Sequence, residues 1–435
     1  MAEPSSTAES RAESQDGSQN GSQNGSVALR SPARITAGYG SVFAVKEFRA
    51  IFAAHVLSMM GGVFADASLA VLVFRRTGSA PLTALVFALG FLPYALSGIL
   101  LSGVADRYPA RRVLVACDLL SACCVASMAV PVTPLAMLFV LRFAVSMMSP
   151  LFTGTRAASL ADILPDDLYV LGRSLVRMVS QGSQIVGYGL GGLALVWLSP
   201  RTALYVTVGT FLGSALLLRL GTRARPARTS GGEAMMRASL ASTRRLLGAP
   251  RVRALLLMWW IPPMFFIMAE GTAAPFADAA GAGSVGFGLF MAAMPAGTAV
   301  GEVLAGTLLG AAARERIALP LAAGSMLPMA AFAVHPPLSL AIALLLVTGL
   351  CAAYTLGMDQ WFVQAVPATM RGGAMSLLGA GLMTLQGLGV AAGGAVAALV
   401  PPYAVIGGAG VVGTACVFVV LRSVRATRAT ATTPA

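Results

Sequence analysis

Apolar stretches of about twenty residues recur along this chain from Phe43 onward, separated by short polar breaks. Stretches of that length suit helices crossing a bilayer, where about 20 residues at ~1.5 Å each span the hydrocarbon. The pattern predicts spans near 50–74, 82–104, 113–131, 135–154, 169–198, 202–220, 252–270, 285–309, 317–334, 338–357, 374–399 and 403–421. Runs so long and so uniformly apolar do not suit barrel strands. The predicted fold class is therefore all-α, a polytopic membrane protein with twelve transmembrane helices.

Composition agrees. Of 435 residues 57% are hydrophobic and 11% charged, against roughly 25% charged in a soluble protein. Residues 1–33 are rich in Ser, Gln, Asn, Gly and Glu and predict a disordered tail. They carry no apolar core of the kind a secretory signal needs. The expected organisation is a cytoplasmic tail over 1–42, a six-helix bundle over 43–220, a cytoplasmic linker over 221–251, a second bundle over 252–421, and a tail over 422–435.

A net charge of +13 is often the footprint of a nucleic-acid binder. Here the basic residues are arginines apart from Lys46, and no nucleic-acid-reading motif accompanies them, so no nucleic-acid partner is expected. Sorted by the predicted spans, 26 Lys and Arg fall on one side and three (Arg75, Arg76, Arg201) on the other, with Arg142 inside a span. The positive-inside rule then places both termini in the cytoplasm of a cell-membrane protein embedded in the lipid bilayer. Arg75 and Arg76 are expected to snorkel at the outer interface. The surroundings of Lys46 lack the glycine cradle of a nucleotide-binding loop, which excludes an ATP-driven pump. The five cysteines lie in apolar runs without metal-ligand spacing, so neither disulfides, a metal nor another cofactor is expected.

The chain repeats itself. Pro93, Pro134, Pro165 and Pro200 recur as Pro295, Pro336, Pro367 and Pro402, each 202 positions later. The same offset pairs Gln184 with Gln386, Gly187 with Gly389, and Gly191-Gly192 with Gly393-Gly394. Two parallel six-span halves are the architecture of alternating-access transporters, with substrate held between them near mid-membrane.

Three motifs carry a family resemblance. Between spans two and three runs Gly103-Val104-Ala105-Asp106-Arg107-Tyr108-Pro109-Ala110-Arg111-Arg112. Span five carries Gly187-Tyr188-Gly189-Leu190-Gly191-Gly192, and span four carries Leu138 and Arg142 four residues apart. This resembles the signature loop, the antiporter motif and the fourth-helix arginine motif of the major facilitator superfamily. The chain departs from those patterns at Ser102, Pro109, Tyr188 and Val145-Ser146. The whole is similar to the exporter branch that includes enterobactin-type siderophore and macrolide efflux proteins. The resemblance implies a gating loop built on Asp106, Arg107, Arg111 and Arg112. Plain positive-inside charge would account for the same arginines. The glycines Gly187, Gly191, Gly192, Gly389, Gly393 and Gly394 predict close helix packing, compatible with a gliding surface between halves.

Ionisable residues inside spans are costly and so draw attention. Asp66 and Arg142 lie roughly 10–12 Å below the same face, counted along their helices, which makes a pair possible. Two readings stand: a static salt bridge, or a switch in which a proton on Asp66 releases Arg142. Glu302, without an obvious partner, is a second proton candidate or a fixed carboxylic acid. Asp118 is expected to support the Asp106 loop, Asp359 and Glu270 to meet water near span ends, and His55 to be a packed side chain. Gln184 and Gln386 are substrate-cavity candidates, with helix–helix glue as the alternative, and Trp260 could reach the same cavity. Trp361 is expected to anchor at an aromatic belt.

These features predict a monomeric secondary transporter that expels a small apolar or amphipathic compound in exchange for protons. An importer or uniporter of the same fold, or a non-transporting receptor or scaffold, is the alternative. Two distant histidines and no His/Asp/Glu cluster leave nothing for an intramembrane enzyme to work with.

Overall fold

The structure is a computed structural model and describes residues 39–100, 107–225, 243–367 and 370–429. Every regular element among them is a helix. A short helix, Tyr39–Ala44, precedes the first long one, α1 (Lys46–Thr77). The next pass, α2, bends between Ala80–Phe91 and Pro93–Leu100. Then follow α3 (Ala110–Ala129), α4 (Leu135–Ile163), α5 (Asp166–Trp197) and α6 (Pro200–Gly221). Beyond the central segment come α7 (Pro250–Gly271), a short helix Ala273–Ala279, and α8 (Gly283–Leu308). The pass α9 is built of Ala311–Gly324, Leu327–Ala330 and the 3-10 turn Ala331–Val334. A further pass, α10, joins Leu338–Cys351 to Tyr354–Ala365, and α11 (Arg371–Val396) and α12 (Pro402–Ala429) close the chain.

Ten of these passes are long and apolar enough to cross a membrane among the described residues. The remaining two, α2 and α5, complete the expected twelve. Pro93 opens the second piece of α2 and cannot continue the hydrogen-bond ladder of the first. In α5 the polar residues Gln181 and Gln184 dilute the hydropathy, and both face a cavity rather than lipid.

The repeated prolines have a local meaning. Pro134 and Pro165 cap the starts of α4 and α5, and Pro200 and Pro402 are the first residues of α6 and α12. A proline fits there because the first helical N–H groups have no partner within the helix. Ser79 and Ser199 cap α2 and α6, accepting from the N–H of Leu82 at 3.4 Å and of Thr202 at 3.1 Å. Gly78, at φ 60°, ends α1 in a left-handed turn that a side chain would strain.

Packing repeats with a shift of six passes. The first half pairs α1 with α6, α1 with α5, and α2 with α4; the second pairs α7 with α12, α7 with α11, and α8 with α10. Between the halves, α5 lies on α8 and α11 lies on α2. An even number of passes puts the beginning of α1 and the end of α12 on one face, called here the terminal face, with the other face distal.

The glycine repeat divides its labour along the same lines. Gly187 and Gly191 pack on Val63 and Phe64 of α1, inside the first half; Gly389 and Gly393 pack on Met264 and Met268 of α7, inside the second. The third glycine of each set faces the other half. A Cβ on Gly192 would lie 2.6 Å from the Cα of Gly288 on α8, and one on Gly394 would collide with Ala84 on α2. These two contacts bring backbones of opposite halves together near the distal face, where lipid offers no hydrophobic drive and dispersion over a close approach does the holding.

One boundary and one side chain correct the sequence reading. The pass α4 continues to Ile163 rather than ending near 154, because Arg156 is not a loop residue. It is 5% exposed inside the helix, bonded to His55 and stacked 5.4 Å from the Phe152 ring. Trp361 is likewise buried, under the guanidinium of Arg251 at 5.7 Å, and not an interfacial anchor.

The distal arginines do more than snorkel. Arg76 donates to the carbonyls of Pro131 and Thr133, each at 3.2 Å, and Arg201 to that of Pro131 at 3.3 Å, so both hold the turn between α3 and α4. Arg75 reaches across the halves to Ser284 Oγ at 3.3 Å.

Candidate functional site: a cavity between the halves

A cavity of about 520 Å³ lies mid-height in the bundle, lined mostly by α1–α6 and closed from the second half by α7 and α11. Its wall is largely apolar, with Phe91, Phe152, Phe211, Met59, Met148 and Met383 prominent. A volume of this order with few polar groups suits a small organic ligand.

The strongest polar feature is an ion pair. Arg142 Nη2 lies 3.0 Å from each carboxylate oxygen of Asp66. The guanidinium also donates through Nε to Val86 O at 3.3 Å and through Nη1 to Ser146 Oγ at 2.8 Å. One side chain thus joins α1, α2 and α4. Ser146 stands one helical turn along α4, and Gly90 on α2 leaves the room that Nη2 occupies. The side chains of Arg142 and Asp66 are 11% and 24% exposed, so the carboxylate is the more open partner.

Asp118 also lines the cavity, which corrects its assignment to the loop. Ser58 and Ser214 donate to its two oxygens at 3.1 and 2.5 Å, tying α3 to α1 and α6. Nearby, Arg156 bonds His55 Nδ1, and His55 Nε2 lies 3.4 Å from Ser180 Oγ, which donates to Val176 O. His55 is fully buried, so it is a packed histidine with both nitrogens placed.

From the second half, Glu270 on α7 reaches this cavity rather than water at a helix end. It is within electrostatic reach of Asp66, and Tyr188 lies within reach of both carboxylates and of Arg142. Tyr188, the departure from the antiporter motif, therefore lines the same cavity as the charged group. Gln184 and Gln386 line the cavity from opposite halves, and Gln386 Oε1 is buried with no hydrogen-bond partner among the described residues.

Other predicted residues lie elsewhere. Glu302 is not unpartnered: Arg177 of α5 stands 3.6 Å from it, across the halves and toward the terminal face. Trp260 is not among the cavity's lining residues; it donates to Leu378 O at 2.9 Å and its indole fills the space beside Gly381. Asp106 lies outside the described residues. Arg107 and Arg112 are exposed, and Arg111 donates to Thr222 O at 3.3 Å, at the C-terminal end of α6 where a cation complements the helix dipole. Sequence reasoning missed the cavity position of Glu270. The signal available was a lone carboxylate one residue before the end of an apolar run, and a helix end does not say which way a side chain faces.

Twelve helical passes in two matching halves, with a ligand-sized cavity at their interface, define a multi-pass membrane transporter. The model of the Major Facilitator Superfamily matches residues 51–319, more than half of the chain, and the chain belongs to that family. It is accordingly a transporter and not an enzyme. No curated protein matches the sequence. Among solved structures it is similar to a peptide transporter POT in complex with alafosfalin, at 13% identity and TM-score 0.66, covering 89% of this chain and 98% of that one. The nucleoside transporter NupG aligns at 15% identity and TM-score 0.65, over 87% and 99% of the two chains. A bacterial homolog of the human lysosomal transporter Spinster, in an inward-facing and unoccupied conformation, aligns at 15% and 0.62, over 87% and 97%. At these identities the likeness is one of fold.

Proposed function

We propose that this chain exports a small apolar or amphipathic compound in exchange for protons, as in the enterobactin-exporter and macrolide-efflux branch of the family. The observation that carries this reading is the Asp66–Arg142 pair set in the wall of a mostly apolar cavity. A proton on Asp66 removes the charge that holds Arg142 Nη2, while Val86 and Ser146 keep the guanidinium anchored to α2 and α4. The pair joining α1 to α4 then weakens at the height of the cavity, which gives a proton a way to bias helix packing.

In this reading residues 43–220 and 252–421 move as two bundles joined by the linker 221–251. The protein works as a monomer in the cell membrane with both termini cytoplasmic. The close glycine contacts then seal the outer face. Glu302, paired with Arg177, serves as a tether between halves on the cytoplasmic side rather than as a proton carrier.

The test is proton movement in reconstituted vesicles. Under an imposed pH gradient, addition of a transported lipophilic or siderophore-like compound should dissipate the gradient, and Asp66→Asn should abolish that coupling. Normal coupling in Asp66→Asn would remove the role of Asp66. Proton and compound moving in the same direction would make the chain an importer.

A further inference from the structure

We infer that Glu270 is the substrate's charge-recognition site, and that the cavity takes an organic monocation in competition with a proton. The inference rests on the proton-exchange reading above and names the substrate class of the same cavity.

The titratable groups lining the cavity are Asp66, Tyr94, Cys117, Asp118, Arg142, Tyr188 and Glu270. Asp66 and Arg142 neutralise each other at 3.0 Å. Asp118 accepts two serine hydroxyls and lies within electrostatic reach of Arg156. Glu270 has neither: no ion pair and no hydrogen bond with any described residue. Among the described residues it is the one carboxylate left over on the wall.

Its neighbours offer no compensation. Asp66 of α1 adds like charge, Arg142 of α4 is taken by Asp66, and Tyr188 of α5 is a neutral phenol. On the far side, α8 and α10 present Phe290, Met291, Met294 and Leu345 around a void of about 10 Å³. A water held there would lack the two to four polar partners it needs. An unpaired carboxylate in such a place takes up a proton or meets a cation.

Gln386 supplies a second, independent pointer. Its Oε1 is buried, unpartnered, and belongs to the same cavity wall, on α11 beside α7. Two unfilled acceptors from adjacent helices fit one ligand that donates N–H bonds and carries positive charge. The aromatic and methionine wall takes the rest of an amphipathic cation. An anion finds no uncommitted cation among the described residues of the lining.

Proton and ammonium cannot both occupy Glu270. Binding of the cation to the protonated carboxyl therefore releases one proton to solvent, and no other bond forms or breaks. Competition at Glu270 lets the substrate displace a proton, while Asp66 keeps the task of linking protonation to the packing of α1 and α4.

The experiment measures binding to the purified full-length chain in detergent, with ethidium, tetraphenylphosphonium and dodecylguanidinium as cations. Chloramphenicol serves as a neutral probe and 8-anilinonaphthalene-1-sulfonate as an anion. Ethidium and dodecylguanidinium should bind with release of up to one proton, and their affinity should fall as pH falls. Glu270→Gln should weaken them roughly 10- to 100-fold and abolish both proton release and pH dependence, as expected for removing a buried charge partner. An unfolding midpoint and a gel-filtration profile matching wild type should show that the Glu270→Gln variant is folded. Glu270→Asp should keep proton release. Absence of proton release with all three cations, or unchanged cation binding in Glu270→Gln, overturns the inference. If vesicles show proton-coupled movement of neutral compounds alone, the export reading stands and this inference fails. If cations bind with proton release but vesicles show no coupled flux, the reverse holds.

Discussion

Arg142 and Asp66 sit on different helices, 76 positions apart, with Nη2 of the first 3.0 Å from both oxygens of the second. The guanidinium has two further acceptors of its own, and Asp66 has none besides Arg142 among the described residues. Removing the two partners should therefore have unequal effects.

Arg142→Ala strips Asp66 of its partner and removes the bonds to Val86 O and Ser146 Oγ as well. A loss of about 3–5 kcal/mol is expected, as for other broken buried pairs. Asp66→Asn leaves Arg142 with two bonds and an amide oxygen to meet, and should cost less. Thermal unfolding of the two variants in detergent tests the order; an Asp66→Asn protein less stable than Arg142→Ala contradicts it.

Gly192 should tolerate nothing larger. Its backbone meets Gly288 where a methyl group has no room, and the atoms in the way are main-chain atoms that cannot rotate aside. Gly192→Val should push α5 and α8 apart at the distal face. Spin labels at Val132 and Leu399, 85% and 86% exposed in distal turns of opposite halves, should report a longer and broader distance. An unchanged distribution would mean that this contact does not seal the face.

The Arg177–Glu302 pair is long, at 3.6 Å, and Arg177 is 63% exposed. Pairs of that kind contribute about 0–1 kcal/mol. Glu302→Gln should leave the unfolding midpoint nearly unchanged, yet it removes a tether between halves. Labelling of a cysteine placed in the cavity at Gln184 should speed up from the terminal face. Swapping the charges, as Arg177→Glu with Glu302→Arg, should restore the wild-type rate.

Trp260 should matter for stability and not for ligand. Trp260→Phe removes one hydrogen bond to Leu378 O, at a cost of about 0.5–1.5 kcal/mol. Ligand affinity at the cavity should stay within twofold of wild type. A large loss of affinity with normal stability would bring Trp260 back to the substrate.

Much of the architecture was legible along the chain because membrane helices announce themselves. Every predicted span has its helix, and boundaries fail mainly where a charge was taken as a helix end. Arg156 shows why: a charge ends a span only when it must reach water, and here His55 and Phe152 receive it inside. The Asp66–Arg142 contact was readable as a possibility, since equal depth follows from counting residues. Arg177 opposite Glu302 was not, because their helices belong to different halves.

By itself, the sequence determined the number of passes, their repetition with an offset of 202, and the places where prolines start helices. Those are properties of chain segments, set by transfer into hydrocarbon and by backbone chemistry, and they need no partner. Only the tertiary structure decided which way each helix turns its sides. In a bilayer the lipid-facing and protein-facing sides of a helix are equally apolar, so hydropathy carries little rotational signal. Glu270 and Asp118 entered the cavity, Trp260 left it, and the third glycine of each repeat turned to the opposite half, all through rotations that only packing could fix.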